Sequence, residues 1–321
     1  MSNLRLLAGT LSFSAMALSP GLVSSQDYPS RPIRMVTSAA GGGTDFVARI
    51  VAQGLGDALG QQVIVDNRPS IFHGYYLPTA APDGYSLLMA GESIWIVPLL
   101  QKMPYDPIRD LNPVALVTTS PNVLVVHPTV PVKSTKELID LAKSKPGELN
   151  YGTTTPGASA HLAGSMFMSM AGVKFQEIPH SGSGPLLNTL LGGQGVHLGF
   201  ISIASVMPHV KSGRLRGLAV TSPKASPLFP GLPTVAEVVP GYELAGSTSV
   251  MAPPKTPTAI INRLNREVVR FVNSPAVKEK MFNGGNDVAT GSPEDLRNHI
   301  RNEITRLTKV IKDANIRIES K

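Results

Sequence analysis

Three glycine-rich and hydroxyl-rich segments carry the residue types best suited to binding a small molecule. They are residues 38–45, where three glycines precede Thr44 and Asp45, residues 153–159, and residues 181–185. Glycines allow a ligand to approach the backbone, and the first N–H groups of a helix have no partner inside the helix. Such a segment leading into a helix suits an anion. A flexible turn capped by Asp45 is the alternative for the first segment, but the threefold recurrence favours anion binding.

Patterns for other chemistry are missing from the sequence. Neither G-x-x-x-x-G-K-[ST] nor G-x-G-x-x-G occurs, and the closest approach to a G-x-S-x-G elbow lacks the glycine spacing. The histidines show no H-x-x-x-H spacing for a metal. The absence of cysteine excludes disulfides, iron–sulfur clusters and a thiol nucleophile. We therefore expect a binding protein without cofactor or metal, and an α/β hydrolase is the rival class.

Short β-branched runs alternate with helical patterns along the chain. The expected strands are residues 33–37, 63–65, 86–89, 123–126, 149–152, 176–178, 196–201 and 215–220. Asp45 is expected to cap a helix that Gly60 ends, Ser134 and Glu137 to form a capping box, and Ser292 to precede the last helix. This alternation predicts the α/β class with a mostly parallel sheet, whose ligands bind beyond the carboxyl ends of the strands.

The N-terminus has the layout of a secretory signal peptide. Arg5 precedes an apolar stretch over residues 6–18, and small residues follow a Pro20-Gly21 break. Polar residues interrupt the stretch, whereas a membrane anchor needs about 20 continuous apolar residues. We expect residues 1–25 to be removed after Ser25 and the mature chain to be periplasmic. The net charge is +7, but the basic residues are interleaved with acidic ones and form no block. This pattern argues against nucleic-acid binding.

Several motifs together resemble one family, the extracytoplasmic solute receptors of tripartite tricarboxylate transporters (Bug or TctC-like). They include the Gly-Gly-x-Thr-Asp segment ending at Asp45, Asp-Asn-Arg-Pro at 66–69, Pro-Asp-Gly-Tyr at 82–85 and Met-Pro-Tyr-Asp-Pro at 103–107. Further matches at 120–125, 190–194, 208–213 and 218–222 follow in the family's order. The resemblance covers essentially the whole mature chain.

The resemblance implies a type II periplasmic-binding-protein fold, with a ligand cleft between two lobes. Lobe 1 would comprise residues 26–122 and 246–321, and lobe 2 residues 123–245, with crossovers near 120–123 and 246–250. The implied ligand contacts come from the loops that follow the strands, together with one strand residue. They are Gly42, Gly43, Thr44, Asp45, Ser93, Thr154, Thr155, Ser159, Ser181, Gly182, Ser183 and Ile201.

Some positions depart from the family pattern. Ile201 stands where many relatives have an acidic residue for a ligand amino group, which disfavours amino acids unless Ile201 is a core residue. The segment after Pro69 is shorter than in relatives, so Phe72 and His73 either line the cleft or pack elsewhere. Trp95 either stacks on a ligand or packs beneath its loop. Glu92 either faces solvent or recognises a ligand group.

The expected function is the capture of a small carboxylate, either a di- or tricarboxylic acid or an aromatic acid. The expected partners are the membrane permease subunits of a tripartite transporter, to which a monomeric receptor delivers the ligand. The alternative is a receptor that presents its ligand to a membrane sensor kinase. The sequence leaves both partners open, because a transporter and a sensor kinase would each dock on the closed lobes.

Overall fold

The computed structural model describes residues 28–69, 72–154, 158–193 and 195–313, so the expected signal peptide and Thr155 lie outside the described residues. The strands are β1 Ile33–Thr37, β2 Val63–Asn67, β3 Ser86–Gly91, β4 Asn112–Val126, β5 Asn150–Thr153, β6 Gln176–Pro179, β7 Leu198–Ser202, β8 Arg216–Val220, β9 Ala245–Ala252 and β10 Asp287–Val288. The helices are α1 Gly43–Leu59, α2 His73–Thr79, α3 Ser93–Leu100, α4 Thr135–Ser144, α5 Ser159–Ala171, α6 Ser183–Gly192, α7 Ile203–Lys211, α8 Thr258–Val272, α9 Pro275–Asn283 and α10 Pro293–Asp313. None of the helices in these ranges combines the length and the apolar character needed to cross a bilayer.

Helix α1 forms where the apolar spacing predicts it. Its buried residues include Val47, Ile50, Val51, Leu55 and Leu59, which recur every three to four positions along one face. Gly60 ends the helix in the left-handed conformation that glycine adopts without steric cost. The expected cap is wrong, because the helix already begins at Gly43 and Asp45 is its third residue.

The starts of two other helices test the expected caps. At α4 the Ser134 hydroxyl accepts the Glu137 N–H at 3.1 Å, but the Glu137 carboxylate accepts from the N–H of Lys133, so only half of the capping box forms. At α10 the Ser292 hydroxyl accepts the Asp295 N–H at 3.1 Å, and the Asp295 carboxylate accepts the Ser292 N–H at 2.8 Å. The expected start of the last helix is confirmed.

The strands form one sheet in the order β2-β1-β3-β9-β4-β7-β5-β6, with β10 and β8 also paired to β4. Strand β1 pairs in parallel with β2 and β3, and β5 pairs in parallel with β6 and β7. All pairings of β4 and β9 among the described strands are antiparallel. The sheet is therefore mixed, and the expectation of a mostly parallel sheet is wrong at its centre.

Strand β4 links two parts of the sheet. Its residues 112–121 pair with β9, and its residues 122–126 pair with β7 and β8. The first part therefore contains β1, β2, β3, β9, β10 and the first segment of β4, and the second part contains β5 to β8 and the rest of β4. The change of partner falls between Pro121 and Asn122, in the segment expected for the first crossover. The lobe boundaries stay a prediction.

The core consists of three clusters of buried apolar side chains. One packs α1 and α8 against the first part of the sheet, and another packs α6 and α7 against the second part. The third cluster joins residues of both parts, such as Leu88 of β3 and Phe200 of β7, and α10 adds Leu296, Ile300 and Leu307 to it. Helix α10 therefore packs against a core that the two parts share.

Candidate functional site

The carboxyl ends of both sets of parallel strands lie near one short segment of β4. Strand β3 ends at Gly91, which pairs with Thr248 of β9, and Thr248 pairs in turn with Thr118 of β4. In the second part β7 ends at Ser202, which pairs with Asn122 of β4. The helices that follow the strands therefore begin on either side of residues 118–122. We call this segment and the surrounding helix starts the strand-end site, because α/β sheets bind ligands there.

The first glycine segment lies open at the start of α1. Gly42 and Gly43 are exposed, Gly42 is the N-cap residue, and no side chain caps the helix. Thr44 is half-buried and faces the end of β3, since a Cβ placed on Gly91 would lie 3.8 Å from the Thr44 hydroxyl oxygen. The segment thus presents backbone N–H groups and a hydroxyl beside the end of a second strand.

The Asp45 side chain fixes the conformation of this segment through hydrogen bonds. Its buried carboxylate accepts the Gly41 N–H at 2.9 Å, the Arg49 Nε at 3.1 Å and the Asn67 amide at 2.8 Å. Burial raises the pKa of the Asp45 carboxyl, but the hydrogen bonds from Asn67, Arg49 and Gly41 outweigh burial and hold the pKa below its usual value. The residue is 3% exposed. Asp45 therefore shapes the loop and leaves no free carboxylate for a ligand.

Ser93 begins α3 at the end of β3, and Glu92 before it holds strand β9. The Glu92 N–H donates to the Ser247 carbonyl oxygen at 3.1 Å, and the Glu92 carboxylate accepts the Ser247 N–H at 2.9 Å. Burial raises the pKa of the Glu92 carboxyl, and the charge of Glu303 adds to this rise, whereas the Ser247 hydrogen bond opposes it. The sequence left solvent exposure and ligand recognition open for Glu92, and in the structure its carboxylate holds the first residues of β9.

We expect Glu92→Gln to become more stable relative to the wild type as pH rises above the ordinary glutamate pKa of 4.5. In that range the unfolded chain loses the Glu92 proton before the folded chain does, so the folded wild type is penalised and glutamine is not. Urea unfolding at pH 4 and pH 7.5 measures the difference. Exposed Glu279→Gln corrects for the loss of one negative charge. A pH-independent difference would contradict the raised pKa.

In the second part, Asn122 connects β4 to the start of α5. Its side-chain amide donates to the Ser159 hydroxyl at 2.7 Å, and its backbone N–H donates to the Thr221 hydroxyl at 2.9 Å. Thr154 is buried, and Thr155 lies outside the described residues. Sequence reasoning missed Asn122, although a polar residue before the apolar run 123–126 was the available signal.

The third segment lies beside the second. The His180 N–H donates to the Thr153 carbonyl oxygen at 2.9 Å, which holds the ends of β5 and β6 together. Ser181 and Ser183 are exposed, and Gly182 is the N-cap of α6 without a side-chain cap. These residues are therefore available for contact.

Helices α1, α3, α5 and α6 share uncapped starts at the ends of strands. Their first N–H groups lack side-chain acceptors, and the partial positive charge of each helix start favours an anion. Helix α4, which begins away from these strand ends, has the Ser134 cap. Helices α2, α7, α8 and α9 also lack a side-chain cap, so it is the gathering of several uncapped starts around β4 that distinguishes the site.

The Ile201 side chain lies in the core. It is 1% exposed and packs with Val123, Leu186 and Leu190 in the core of the second part. Of the two roles that the sequence left open for Ile201, the core role is the one observed. A side chain that faces the core does not distinguish a ligand with an amino group from one without, so position 201 does not disfavour amino acids.

The aromatic residues whose roles the sequence left open differ in their exposed fractions. Trp95 is fully buried in the shared core, edge-on to His299 with ring centroids 6.2 Å apart. Of its two proposed roles, packing beneath the loop is the one observed. His73 is 4% exposed, and burial lowers the pKa of its imidazole. Phe72, by contrast, is 54% exposed.

The fold and the strand-end site together define a class, the two-lobed α/β solute-binding receptors of type II periplasmic-binding-protein fold, which are not enzymes. A structure of R. palustris Rpa4515 with adipate has a TM-score of 0.81 and 36% identity, covering 91% of this chain and 99% of that chain. MatC (Rpa3494) from Rhodopseudomonas palustris with bound malate has a TM-score of 0.76 and 28% identity, covering 88% of this chain and 100% of that chain.

Residues 47–316 match the Tripartite tricarboxylate transporter family receptor, and the chain belongs to this family. Protein BugT from Bordetella pertussis (strain Tohama I) is 36% identical over 329 residues, covering 99% of this chain and 100% of the relative. The resemblance drawn from the motifs is therefore confirmed. Receptors of this family bind solutes in the periplasm.

Proposed function

We propose that the chain captures a small carboxylic acid at the strand-end site and delivers it to the membrane subunits of a tripartite transporter. The gathering of uncapped helix starts around residues 118–122 of β4 carries this proposal. Relatives of the same fold hold adipate and malate, which favours a dicarboxylate among the candidate acids. The chain is proposed to be exported, cleaved after Ser25 and monomeric.

The proposed contacts are backbone N–H groups and hydroxyls instead of basic side chains. Gly42, Gly43 and Thr44 would hold the acid from lobe 1 together with Ser93, and Thr154, Ser159, Ser181, Gly182 and Ser183 would hold it from lobe 2. Hydrogen bonds to a charged group contribute about 1.5–3 kcal/mol each. Three or four such bonds, less the costs of ordering and closure, support micromolar binding, which corresponds to about 8 kcal/mol.

A thermal-shift screen of ligand-stripped protein tests the ligand class. Dicarboxylates, tricarboxylates, aromatic acids and amino acids are compared, because a ligand at 100 times its dissociation constant stabilises the fold by about 2.7 kcal/mol. A shift with at least one carboxylate class is expected. Absence of any shift across the four classes would overturn carboxylate capture.

We expect Thr44→Ala and Ser183→Ala to weaken binding of the acid found in that screen by about tenfold or more, as loss of one charge-assisted hydrogen bond implies. Neither hydroxyl donates or accepts within the described fold, so the free energy of unfolding should change by less than about 0.5 kcal/mol. Calorimetric titration and urea unfolding measure the two quantities.

Thr189→Ala is the matched control for these substitutions. Thr189 lies on α6 as Ser183 does, but its hydroxyl donates to the Pro185 carbonyl oxygen at 3.1 Å, away from the helix start. Its binding affinity should match the wild type. Unchanged affinity in Thr44→Ala and Ser183→Ala, or a large loss of stability in the ligand-free variants, would remove these residues from the site.

A further inference from the structure

A second concave surface lies on the first part of the sheet, between β1, the end of β2 and helix α2. Arg34, Arg68, Phe72, Tyr75 and Tyr76 line it, and its cavity volume is 390 Å³. We call it the α2 groove. Its lining residues fall between positions 34 and 79, so it contains nothing from the second part of the sheet and does not depend on how the two parts close.

The α2 groove concentrates exposed apolar surface. Six large apolar side chains are exposed in the described part of the chain, and Phe72 at 54% and Tyr75 at 49% both line this groove. A third, Ile64 at 48%, is the register partner of Arg34 on the neighbouring strand and therefore borders the same face. Clustered exposed apolar groups mark binding surfaces more often than scattered ones do.

The charges of the groove favour an anion. Asp66 accepts from Nε and Nη2 of Arg34 and from Nε of Arg68, so two guanidinium groups share one carboxylate. The terminal nitrogens of Arg68 have no hydrogen-bond partner among the described residues. The Arg34 guanidinium also lies 5.3 Å from the centre of the Tyr76 ring, which holds it over an aromatic face.

We propose that the α2 groove binds a small aromatic carboxylate. Its ring packs against Phe72 and Tyr75, and its carboxylate pairs with the terminal nitrogens of Arg68, for which a planar guanidinium is the matching donor. Pockets of this volume with aromatic walls and one or two charged groups are typical of small-molecule sites. The half-exposed walls imply weak binding, with a dissociation constant of about 1 mM.

A fluorine NMR titration of the full chain with 4-fluorobenzoate tests the groove. Arg68→Gln and Phe72→Ser are each expected to weaken binding at least about tenfold, equivalent to the loss of one strong contact. Arg31→Gln is the matched control for Arg68→Gln, since Arg31 is also an exposed arginine paired with an aspartate but stands outside the groove. Phe282→Ser is the control for Phe72, because Phe282 is 39% exposed elsewhere.

Two further comparisons make the outcome decisive. The neutral analogue 4-fluorobenzyl alcohol should bind at least about tenfold more weakly, because it lacks the charge that Arg68 recognises. Thr44→Ala and Ser183→Ala should leave groove binding unchanged, which separates it from the strand-end site. The proposal is overturned by absence of saturable binding, by equal binding of the alcohol, by equal losses in the control variants, or by binding that only the strand-end variants weaken.

Discussion

Replacing Trp95 with alanine is expected to lower the free energy of unfolding by about 3–5 kcal/mol, the usual cost of removing a large buried aromatic side chain. Trp95 is fully buried in the cluster that joins both parts of the sheet. Its removal leaves a cavity between α3 and α10, whose His299 packs edge-on against the indole. Urea unfolding followed by far-UV circular dichroism measures the loss, because the variant retains no tryptophan for fluorescence.

Phe72→Ala is the control for Trp95→Ala. Both substitutions remove one aromatic ring, but Phe72 is 54% exposed and Trp95 is 0% exposed. Surface substitutions of this kind change stability by less than about 0.5 kcal/mol. If Trp95→Ala were as mild as Phe72→Ala, the indole would not be the core residue that the structure shows, and stacking on a ligand would become the better explanation.

Gly285→Ala is the second substitution with a large expected effect, a loss of about 2–5 kcal/mol. Gly285 has a φ of +72°, and its added Cβ would lie 2.1 Å from the Cβ of Ala204 and 2.6 Å from its Cα. The left-handed conformation costs a side chain about 1–2 kcal/mol, and overpacking adds about 1–3 kcal/mol. Urea unfolding measures the sum.

The contact of Gly285 with Ala204 joins the two parts of the sheet next to the strand-end site. Ala204 lies in the first turn of α7, and the Gly285 carbonyl oxygen accepts the Ser120 hydroxyl at 2.8 Å. Forcing α7 away from Gly285 should therefore also weaken binding of the carboxylate. Calorimetric titration of the variant with the acid found by thermal shift measures this effect.

Gly213→Ala isolates the backbone contribution. Gly213 has a nearly identical φ of +74°, but nothing lies within 4 Å of its added Cβ. Only the conformational cost of about 1–2 kcal/mol is expected there. Equal losses for Gly285→Ala and Gly213→Ala would show that the overlap with Ala204 is relieved without cost, and that the contact between the two parts is loose.

Much of the local structure was predictable because it depends on neighbours in the sequence. Strand β1 has its expected bounds, Gly60 ends α1, and Ser292 precedes α10. Strand β9 was missed, since it opens with small residues that have little preference for strands. It becomes a strand because β3 and β4 pair with it on both sides.

The site was predictable in composition but not in arrangement. The three glycine and hydroxyl segments do lead into helices, as their residue types indicate. Asp45 was misjudged because its partners include Asn67, which is distant in sequence, and the role of Asn122 depends on Ser159 and Thr221. Such contacts between distant residues leave no periodic signal.

The sequence by itself determined the α/β class, the family and the segments with anion-binding chemistry, because composition, spacing and motifs are local properties. Tertiary structure alone decided that β4 and β9 run antiparallel to their neighbours and that Ile201 faces the core. A strand buried on both faces is apolar at every position, so its pattern cannot show which face meets a ligand. Pairing between distant strands supplies that information, and it exists only once the chain has folded.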